Sequence, residues 1–174
     1  MQRETLLAIL VLISTDSTTR TAGWDVKMFV NTFERIWTYK TTNRAHTKCE
    51  VDQLISVRPL GVTFKRCVFF KGSRCNFPFL GVFDELHKER MTLLQKDTFQ
   101  TVENLLFMAF DRSCAVFRVE SLTHWHQFYY DLRFKNSSVY KKPLPICQRY
   151  FKYVIGREPI FYVYDSQCER LIRQ

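Results

Sequence analysis

Six cysteines are the residues of this chain whose type and spacing carry the clearest chemistry. They stand at Cys49, Cys67, Cys75, Cys114, Cys147 and Cys168. An even number of cysteines in an exported protein indicates a disulfide framework rather than a metal site. The count alone leaves about fifteen possible pairings open. Only Cys67 and Cys75 have local support, because a short turn between two strands can bring their Cβ atoms within bonding distance.

Other potentially reactive residues give weaker signals. His124 and His126 have the i, i+2 spacing that would place two imidazoles on one face of a strand, where they could share a zinc ion. No third ligand is evident, so we predict no metal site. The sequence has no Gly-x-Ser-x-Gly motif and no distinctive carboxylate pair, and its cysteines are expected in disulfides. We therefore predict a protein that is not an enzyme and needs no cofactor.

The first residues predict export. Arg3 lies in a short polar segment, and an unbroken apolar run over residues 6–13 follows it. That run is too short to span a bilayer but has the size of a signal-peptide core. We predict a signal peptide over residues 1–22, with cleavage between 17 and 23, and a single domain over 23–174. The mature protein is then secreted and extracellular, without membrane association.

Positive charge is spread along the chain. The formal net charge is +9, and the densest spots are residues 65–66, 88–90 and 141–142. Nucleic-acid binding requires a clustered basic surface, so we predict no nucleic-acid partner. Attraction to acidic surfaces or to an anionic ligand is a better use of this charge.

Aromatic residues predict the fold class, because 16 Phe, 8 Tyr and 3 Trp accompany only 5 Gly and 5 Pro. Short aromatic and β-branched segments recur between polar turns, which is typical of an antiparallel β protein. Strands are predicted at 36–39, 61–70, 75–83, 90–95, 102–110, 114–120, 129–134 and 160–164. Residues 104–110 also fit a helical period. Alternation in 61–70 places Phe64 and Arg66 on one face and Lys65 and Cys67 on the other.

Two helices are predicted at the ends of these strands. Large apolar residues from Trp24 onward recur every three or four positions until the chain turns into a strand near Glu34. The second helix covers 146–155, and Gly156 is placed to end it. The predicted architecture is an all-β-dominated, eight-stranded antiparallel barrel, with an N-terminal helix and with a C-terminal helix packed on its outside.

Several landmarks together suggest a family. Trp24 opens the first helix, the segment 36–40 precedes Cys49, residues 109–111 lead into 114–116, and the stretch 147–168 is the most specific. On these residues the chain resembles the tick salivary lipocalins of the histamine-binding-protein superfamily. The resemblance implies the disulfides Cys49–Cys168 and Cys114–Cys147, which leaves Cys67–Cys75 as an additional pair.

The resemblance also implies a pocket for a cationic amine. An ammonium removed from water needs carboxylate partners, and aromatic faces add cation–π attraction. This chain departs from the family pattern, since Ala115 replaces an acid and Asp131-Leu132-Arg133 replaces a Glu-Leu-Trp-like tripeptide. An alternative is that Asp131 faces solvent and pairs with Arg133. The predicted ligand-binding residues are Tyr39, Glu103, Phe117, Tyr130 and Asp131.

Three functions remain open at this level. The resemblance implies a secreted salivary protein that sequesters a biogenic amine, histamine or serotonin, and so suppresses host immune defence. The alternatives are a carrier of a sterol, fatty acid or eicosanoid, whose carboxylate would meet Arg66, Arg118 or Arg133, and an immunomodulator that binds a host immune protein while its cavity is incidental. We expect a monomer, and Asn136 begins a glycosylation sequon.

Overall fold

The computed structural model describes residues 23–69, 73–75, 78–124, 127–138 and 142–172. The predicted signal peptide, Phe70 and His126 lie outside the described residues. The elements, in chain order, are α1 (Val26–Val30), β1 (Ile36–Thr41), β2 (Lys48–Arg58), β3 (Gly61–Phe69), β4 (Ser73–Cys75), β5 (Phe79–Phe83), β6 (Arg90–Gln95), β7 (Thr98–Met108), β8 (Cys114–Ser121), β9 (Phe128–Lys135), α2 (Pro145–Ile155), β10 (Phe161–Tyr162) and α3 (Cys168–Leu171).

Eight of the strands close into an antiparallel barrel. Strands β1, β2, β3, β5, β6, β7, β8 and β9 pair in that order, and β9 returns to pair with β1. Strand β4 pairs with β3, and β10 pairs with the far half of β1. The predicted fold class is confirmed.

Alternation along the strands creates two apolar clusters. One lies inside the barrel and is closed by α1, whose Phe29 packs against Phe117 with ring centroids 5.6 Å apart. The other lies between the barrel wall and α2, where Trp37, Phe134 and Phe151 are fully or almost fully buried. Side chains of a strand therefore point either into the barrel or toward its outer, helix-covered face.

The first helix is shorter than predicted. Asp25 caps it by accepting a hydrogen bond from the Lys27 amide at 2.9 Å, but it ends at Val30 instead of continuing to Glu34. The reason is a local turn, in which the Thr32 hydroxyl accepts a hydrogen bond from the Glu34 amide at 3.2 Å. Helix α2 begins with Pro145 and ends before Gly156, whose φ is +58°, as expected. No helix in the described residues is long and apolar enough to cross a membrane.

The strand predictions need three corrections. Strand β2 was not predicted, because charged residues occupy alternate positions in it and hide the apolar pattern. The predicted strand 75–83 is divided between β4 and β5, and the strand predicted at 160–164 has only two residues, Phe161–Tyr162. Residues 104–108 belong to strand β7, so the helical alternative for this segment is wrong.

Three disulfides tie the barrel to its neighbouring elements. Cys49–Cys168 joins β2 to α3, Cys114–Cys147 joins β8 to α2, and Cys67–Cys75 joins β3 to β4. These are the pairs that the resemblance implied. The Cys49–Cys168 disulfide closes a long loop. By the chain-entropy estimate, its removal would lower the free energy of unfolding by on the order of 4–5 kcal/mol.

Candidate ligand-binding site

The interior of the barrel carries charged side chains from four strands. They are Glu50 and Asp52 of β2, Arg66 of β3, Glu103 of β7, and Asp131 and Arg133 of β9. Four carboxylates and two guanidinium groups give this group a formal charge of −2. Buried charges must be paired or hydrogen-bonded, so the partners of these six side chains determine which groups remain open to a ligand.

Arg133 clamps Glu103 across the barrel. Its Nη1 donates to Glu103 Oε2 at 2.5 Å and its Nη2 donates to Oε1 at 2.9 Å, while Nη2 also donates to Asp131 Oδ2 at 2.8 Å. The guanidinium carbon lies 4.7 Å from the centroid of the Phe117 ring. Burial opposes ionisation of Glu103, but the charges of Arg133 and Arg66 outweigh it and lower the pKa of Glu103 to about 2.

Arg66 completes a layer that we call the charged belt: Asp52, Arg66, Glu103, Asp131 and Arg133. Its Nε and Nη2 donate to the two Asp52 oxygens at 2.7 and 2.8 Å, and Nη2 also reaches Glu103 Oε1 at 3.3 Å. Burial raises the pKa of Asp52, and the bidentate contact with Arg66 opposes that shift. Glu103 thus bridges two arginines in the middle of the barrel.

The charged belt separates two cavities. The closed-end chamber lies beside α1 and is lined mainly by apolar side chains, namely Phe29, Val30, Ile36, Leu54, Val62, Phe64 and Met91, while Thr32, Glu34, Asp52 and Arg133 form its polar lining. The mouth pocket lies beside the loop that joins β1 to β2. Its lining is polar and consists of Thr38, Thr41, Asn43, His46, Thr47, Glu50, Tyr129, Asp131 and Val163.

Carboxylate oxygens in the mouth pocket are not fully matched by arginine. Glu50 Oε1 accepts a hydrogen bond from Thr38 Oγ1 at 2.8 Å, but the nearest guanidinium nitrogen, Arg66 Nε, is 4.0 Å away. Both hydrogen bonds that Asp131 accepts go to Oδ2, and none reaches Oδ1 within the described part of the chain. Burial, together with the charges of Asp131 and Glu50, raises the pKa of Tyr129, so its phenol stays protonated and can donate.

His46 forms part of the rim of the mouth pocket. Its ring stacks on Phe161 of β10, with centroids 4.6 Å apart and an interplanar angle of 21°. Its Nδ1 is buried and has no hydrogen-bond partner among the described residues. The loop around it is held by turns, since the Asn43 side chain accepts from the Ala45 amide at 3.0 Å.

Solved structures show the same architecture at low sequence identity. AM182, a tick protein solved as a serotonin complex, superposes with a TM-score of 0.66 at 16% identity, over 84% of this chain and 93% of that chain. Japanin from Rhipicephalus appendiculatus, solved bound to cholesterol, superposes with a TM-score of 0.55 at 11% identity, over 79% of this chain and 96% of that chain. Apocrustacyanin C2 superposes with a TM-score of 0.56 at 11% identity, over 88% of this chain and 84% of that chain. The chain has the lipocalin fold. No family model and no curated protein matches its sequence.

The lipocalin barrel places three of the five predicted ligand residues inside. Asp131 lines the mouth pocket, Glu103 lies in the charged belt, and Phe117 supports the Arg133 guanidinium. Asp131 does pair with Arg133, as the alternative prediction held, but this pair lies inside the barrel with each side chain 3% exposed. Glu103 is wholly buried between arginines, so it is a structural acid and not an open ligand group.

Two predicted ligand residues lie on the outer face of the lipocalin barrel. Tyr39 packs against Phe134 and Tyr164 at centroid distances of 5.9 and 6.5 Å. It points outward because it alternates along β1 with Thr38, which lines the mouth pocket. Tyr130 also points outward, since it alternates with Asp131 along β9, and it contacts Phe128 at 5.8 Å. Neither residue lines the mouth pocket.

Other predicted sites lie on the outside of the barrel. His124 is exposed and its Nδ1 is 3.0 Å from Thr123 Oγ1, while His126, the other histidine of the pair, lies outside the described residues. Arg118 pairs with Glu120 on the outer face and so does not face the interior. Asn136 is partly exposed, and its Oδ1 accepts a hydrogen bond from Trp37 Nε1 at 3.1 Å. Its glycosylation stays a prediction.

Sequence reasoning missed Glu50, Asp52, Tyr129 and His46. A signal for the first two was present, because Cys49 and Val51 belong to the outer cluster and residues that alternate with them must face inward. Tyr129 could have been found in the same way, as the neighbour of outward-facing Tyr130. His46 lies in a loop and had no periodic signal.

Proposed function

We propose that this protein is a secreted carrier that sequesters a small cationic amine, such as histamine or serotonin, in its mouth pocket. The observation that carries the proposal is the surplus of carboxylate over guanidinium inside the barrel, with Glu50 and the Oδ1 atom of Asp131 left to a ligand. A host mediator held in this way is withdrawn from its receptors, so the carrier suppresses inflammation without catalysing a reaction.

Charge balance favours a cation over an anion. The six charged residues of the belt and the mouth pocket carry a formal charge of −2, so one bound ammonium brings it to −1. A carboxylate ligand would instead make this charge more negative, at −3, and both interior arginines already pair with carboxylates of the protein. An ammonium in the mouth pocket can donate to Glu50 and Asp131 and to the phenol oxygen of Tyr129, which replaces the hydrogen bonds it gave up in water.

The structural neighbours add support. AM182, at a TM-score of 0.66, was solved with serotonin. Three disulfides fit an oxidising extracellular compartment. The sequence landmarks that resemble tick salivary lipocalins support a role during blood feeding, when sequestration of an amine released at the bite is useful to the parasite.

Calorimetric titration of the secreted, disulfide-intact protein tests the proposal. We expect histamine or serotonin to bind at micromolar concentration or tighter, and Glu50→Gln to weaken that binding at least tenfold, which is about 1.4 kcal/mol. The matched control is Glu120→Gln, because Glu120 is an acid of the outer barrel face. No heat with either amine, or an equal loss in both variants, would contradict the proposal.

The closed-end chamber favours a second candidate function. Its lining is mostly apolar, and it is separated from the mouth by the charged belt. Such a cavity suits an uncharged apolar guest, and Japanin, at a TM-score of 0.55, was solved with cholesterol. Native mass spectrometry of secreted material checks this, since a co-purified lipid adds its mass to the protein. Material without added mass, which also gains none after incubation with cholesterol or a fatty acid, would contradict it.

A further inference from the structure

One polar atom of the mouth pocket is left without a role by the binding of an ammonium. His46 Nδ1 is buried and has no hydrogen-bond partner among the described residues, and His46 lines the same pocket as Glu50 and Asp131. A buried polar atom without a partner is costly, and such atoms are rare in folded proteins. Its surroundings therefore indicate that a partner arrives with the ligand.

The position of the His46 ring is fixed by the fold. The ring stacks on Phe161 at 4.6 Å, and the Phe161 strand is paired with β1 through the register Thr41–Phe161. In the neutral imidazole that carries its proton on Nε2, the Nδ1 lone pair is an acceptor. The carboxylates attract the ammonium, so the group that can meet an acceptor at the rim belongs to another part of the ligand.

We infer that His46 is a specificity-determining residue, whose Nδ1 accepts a hydrogen bond from a ring hydroxyl or ring N–H of the bound amine. This inference rests on the proposed function and narrows its ligand class to aromatic amines that carry a second donor on the ring. Amines without such a donor leave Nδ1 unsatisfied and bind less tightly, because a site built for a hydrogen bond discriminates against ligands that lack it.

Tyramine and phenethylamine provide the test, since they differ by one phenolic hydroxyl and share the same ammonium. Calorimetric titration of the wild-type protein is expected to show tyramine binding at least tenfold more tightly. In His46→Phe, which keeps an aromatic ring against Phe161 but has no acceptor, the ratio of the two affinities should fall below about twofold. The affinity for phenethylamine should stay within about twofold of wild type, which also shows that the variant is folded.

Two further variants locate the acceptor. His46→Asn places an amide oxygen near the position of Nδ1 and should retain a preference for tyramine, even if His46→Phe proves unstable. Tyr129→Phe removes another hydrogen-bonding group of the pocket that could meet a phenol, and the preference should survive it. Its loss in Tyr129→Phe would assign the contact to Tyr129 and overturn the inference.

The outcomes separate this inference from the proposed function. Equal affinity of the wild-type protein for the two amines, or an unchanged ratio in His46→Phe, overturns the role of His46 while the amine site stands. A lost preference in His46→Asn, measured on protein that still binds phenethylamine, also overturns it. No binding of tyramine, phenethylamine, histamine or serotonin overturns both the inference and the function on which it rests.

Discussion

The charged belt and the mouth pocket both contain acids of strands β2 and β9, yet these acids have different surroundings. In the belt, Glu103 receives three hydrogen bonds from two arginines and is wholly buried. In the mouth pocket, Glu50 has one hydrogen bond, from Thr38, and its side chain is 22% exposed. A carboxylate oxygen inside the barrel is therefore open to a ligand only where no arginine donates a hydrogen bond to it.

The belt fixes the shape of the interior, whereas the pocket supplies its chemistry. Buried ion pairs with bidentate geometry hold their strands in register but gain little net stability, because desolvation consumes most of the Coulombic attraction. Removing one partner of such a pair lowers the free energy of unfolding, since the remaining charge is left buried without a counter-ion or water. The two regions should thus respond to substitution in opposite ways, one through stability and the other through affinity.

The largest expected effect follows removal of the belt's central cation. Arg133→Gln leaves Glu103 and Asp131 buried without their main partner, so we expect the free energy of unfolding to fall by about 3–5 kcal/mol. Denaturant unfolding measures it. Arg118→Gln is the control, because the Arg118–Glu120 pair is partly exposed and should contribute less than about 1 kcal/mol. Similar losses in both variants would show that the belt is no more important than a surface pair.

The next effect is a dependence of stability on pH. Arginine neighbours hold the pKa of Glu103 at about 2 in the folded state, against an ordinary value of 4.5. Ionised Glu103 therefore contributes about 3 kcal/mol to the free energy of unfolding. This contribution is fully present above pH 4.5 and is lost as the pH falls toward 2.

Denaturant unfolding at a series of pH values tests this expectation. Glu103→Gln should remove the dependence between pH 4.5 and 2 that is due to this residue, while Asp52, whose pKa is raised, contributes equally in both proteins. Identical pH profiles of the two proteins would show that Glu103 is not the group responsible.

Asp131 belongs to both regions, and its substitution sharpens the comparison. Asp131→Asn keeps a hydrogen-bonding oxygen for Arg133 but removes a charge from the belt and from the pocket. We expect a loss of about 1–2 kcal/mol in stability and a roughly tenfold loss in affinity for histamine or serotonin. Unfolding and titration of the same preparation measure the two effects. A change in stability alone would place Asp131 wholly in the belt.

The smallest effect is expected from two tyrosine variants. Tyr129→Phe removes a phenol from the mouth pocket and should weaken amine binding by about two- to fivefold. Tyr39→Phe removes a phenol from the outer cluster and should leave the affinity unchanged. The ratio of the two dissociation constants, measured by titration, checks the placement. A larger effect at Tyr39 would mean that the ligand lies on the outer face.

The barrel could be predicted from sequence because most of its strands follow the regular alternation of aromatic and polar residues. Strand β2 was missed for a reason that also hid the site: its inward positions carry Glu50 and Asp52 where a core strand ordinarily has apolar residues. Tyr39 was placed in the pocket for a related reason. It shares one face of β1 with Trp37, and alternation alone does not show which face of a strand turns into the barrel.

Residue types alone could not reveal which acids are free. Asp131 and Arg133 were recognised as a pair, but their burial depends on which face of β9 turns inward. The clamp on Glu103 joins residues 30 positions apart, and the contact between Arg66 and Glu103 joins residues 37 apart. Such contacts follow from closure of the barrel and from no local feature of the chain.

The attachment of the C-terminal segment has a consequence for biosynthesis. Cys49 has a φ of +55°, directly before Glu50, and its bond to Cys168 and the hydrogen bond from its amide to Val163 at 2.8 Å hold it in that conformation. The same segment supplies Phe161, on which His46 stacks. During biosynthesis the mouth pocket can therefore be completed only after residues 161–168 have been made, and a chain cut before them is expected to form a barrel with an incomplete mouth pocket.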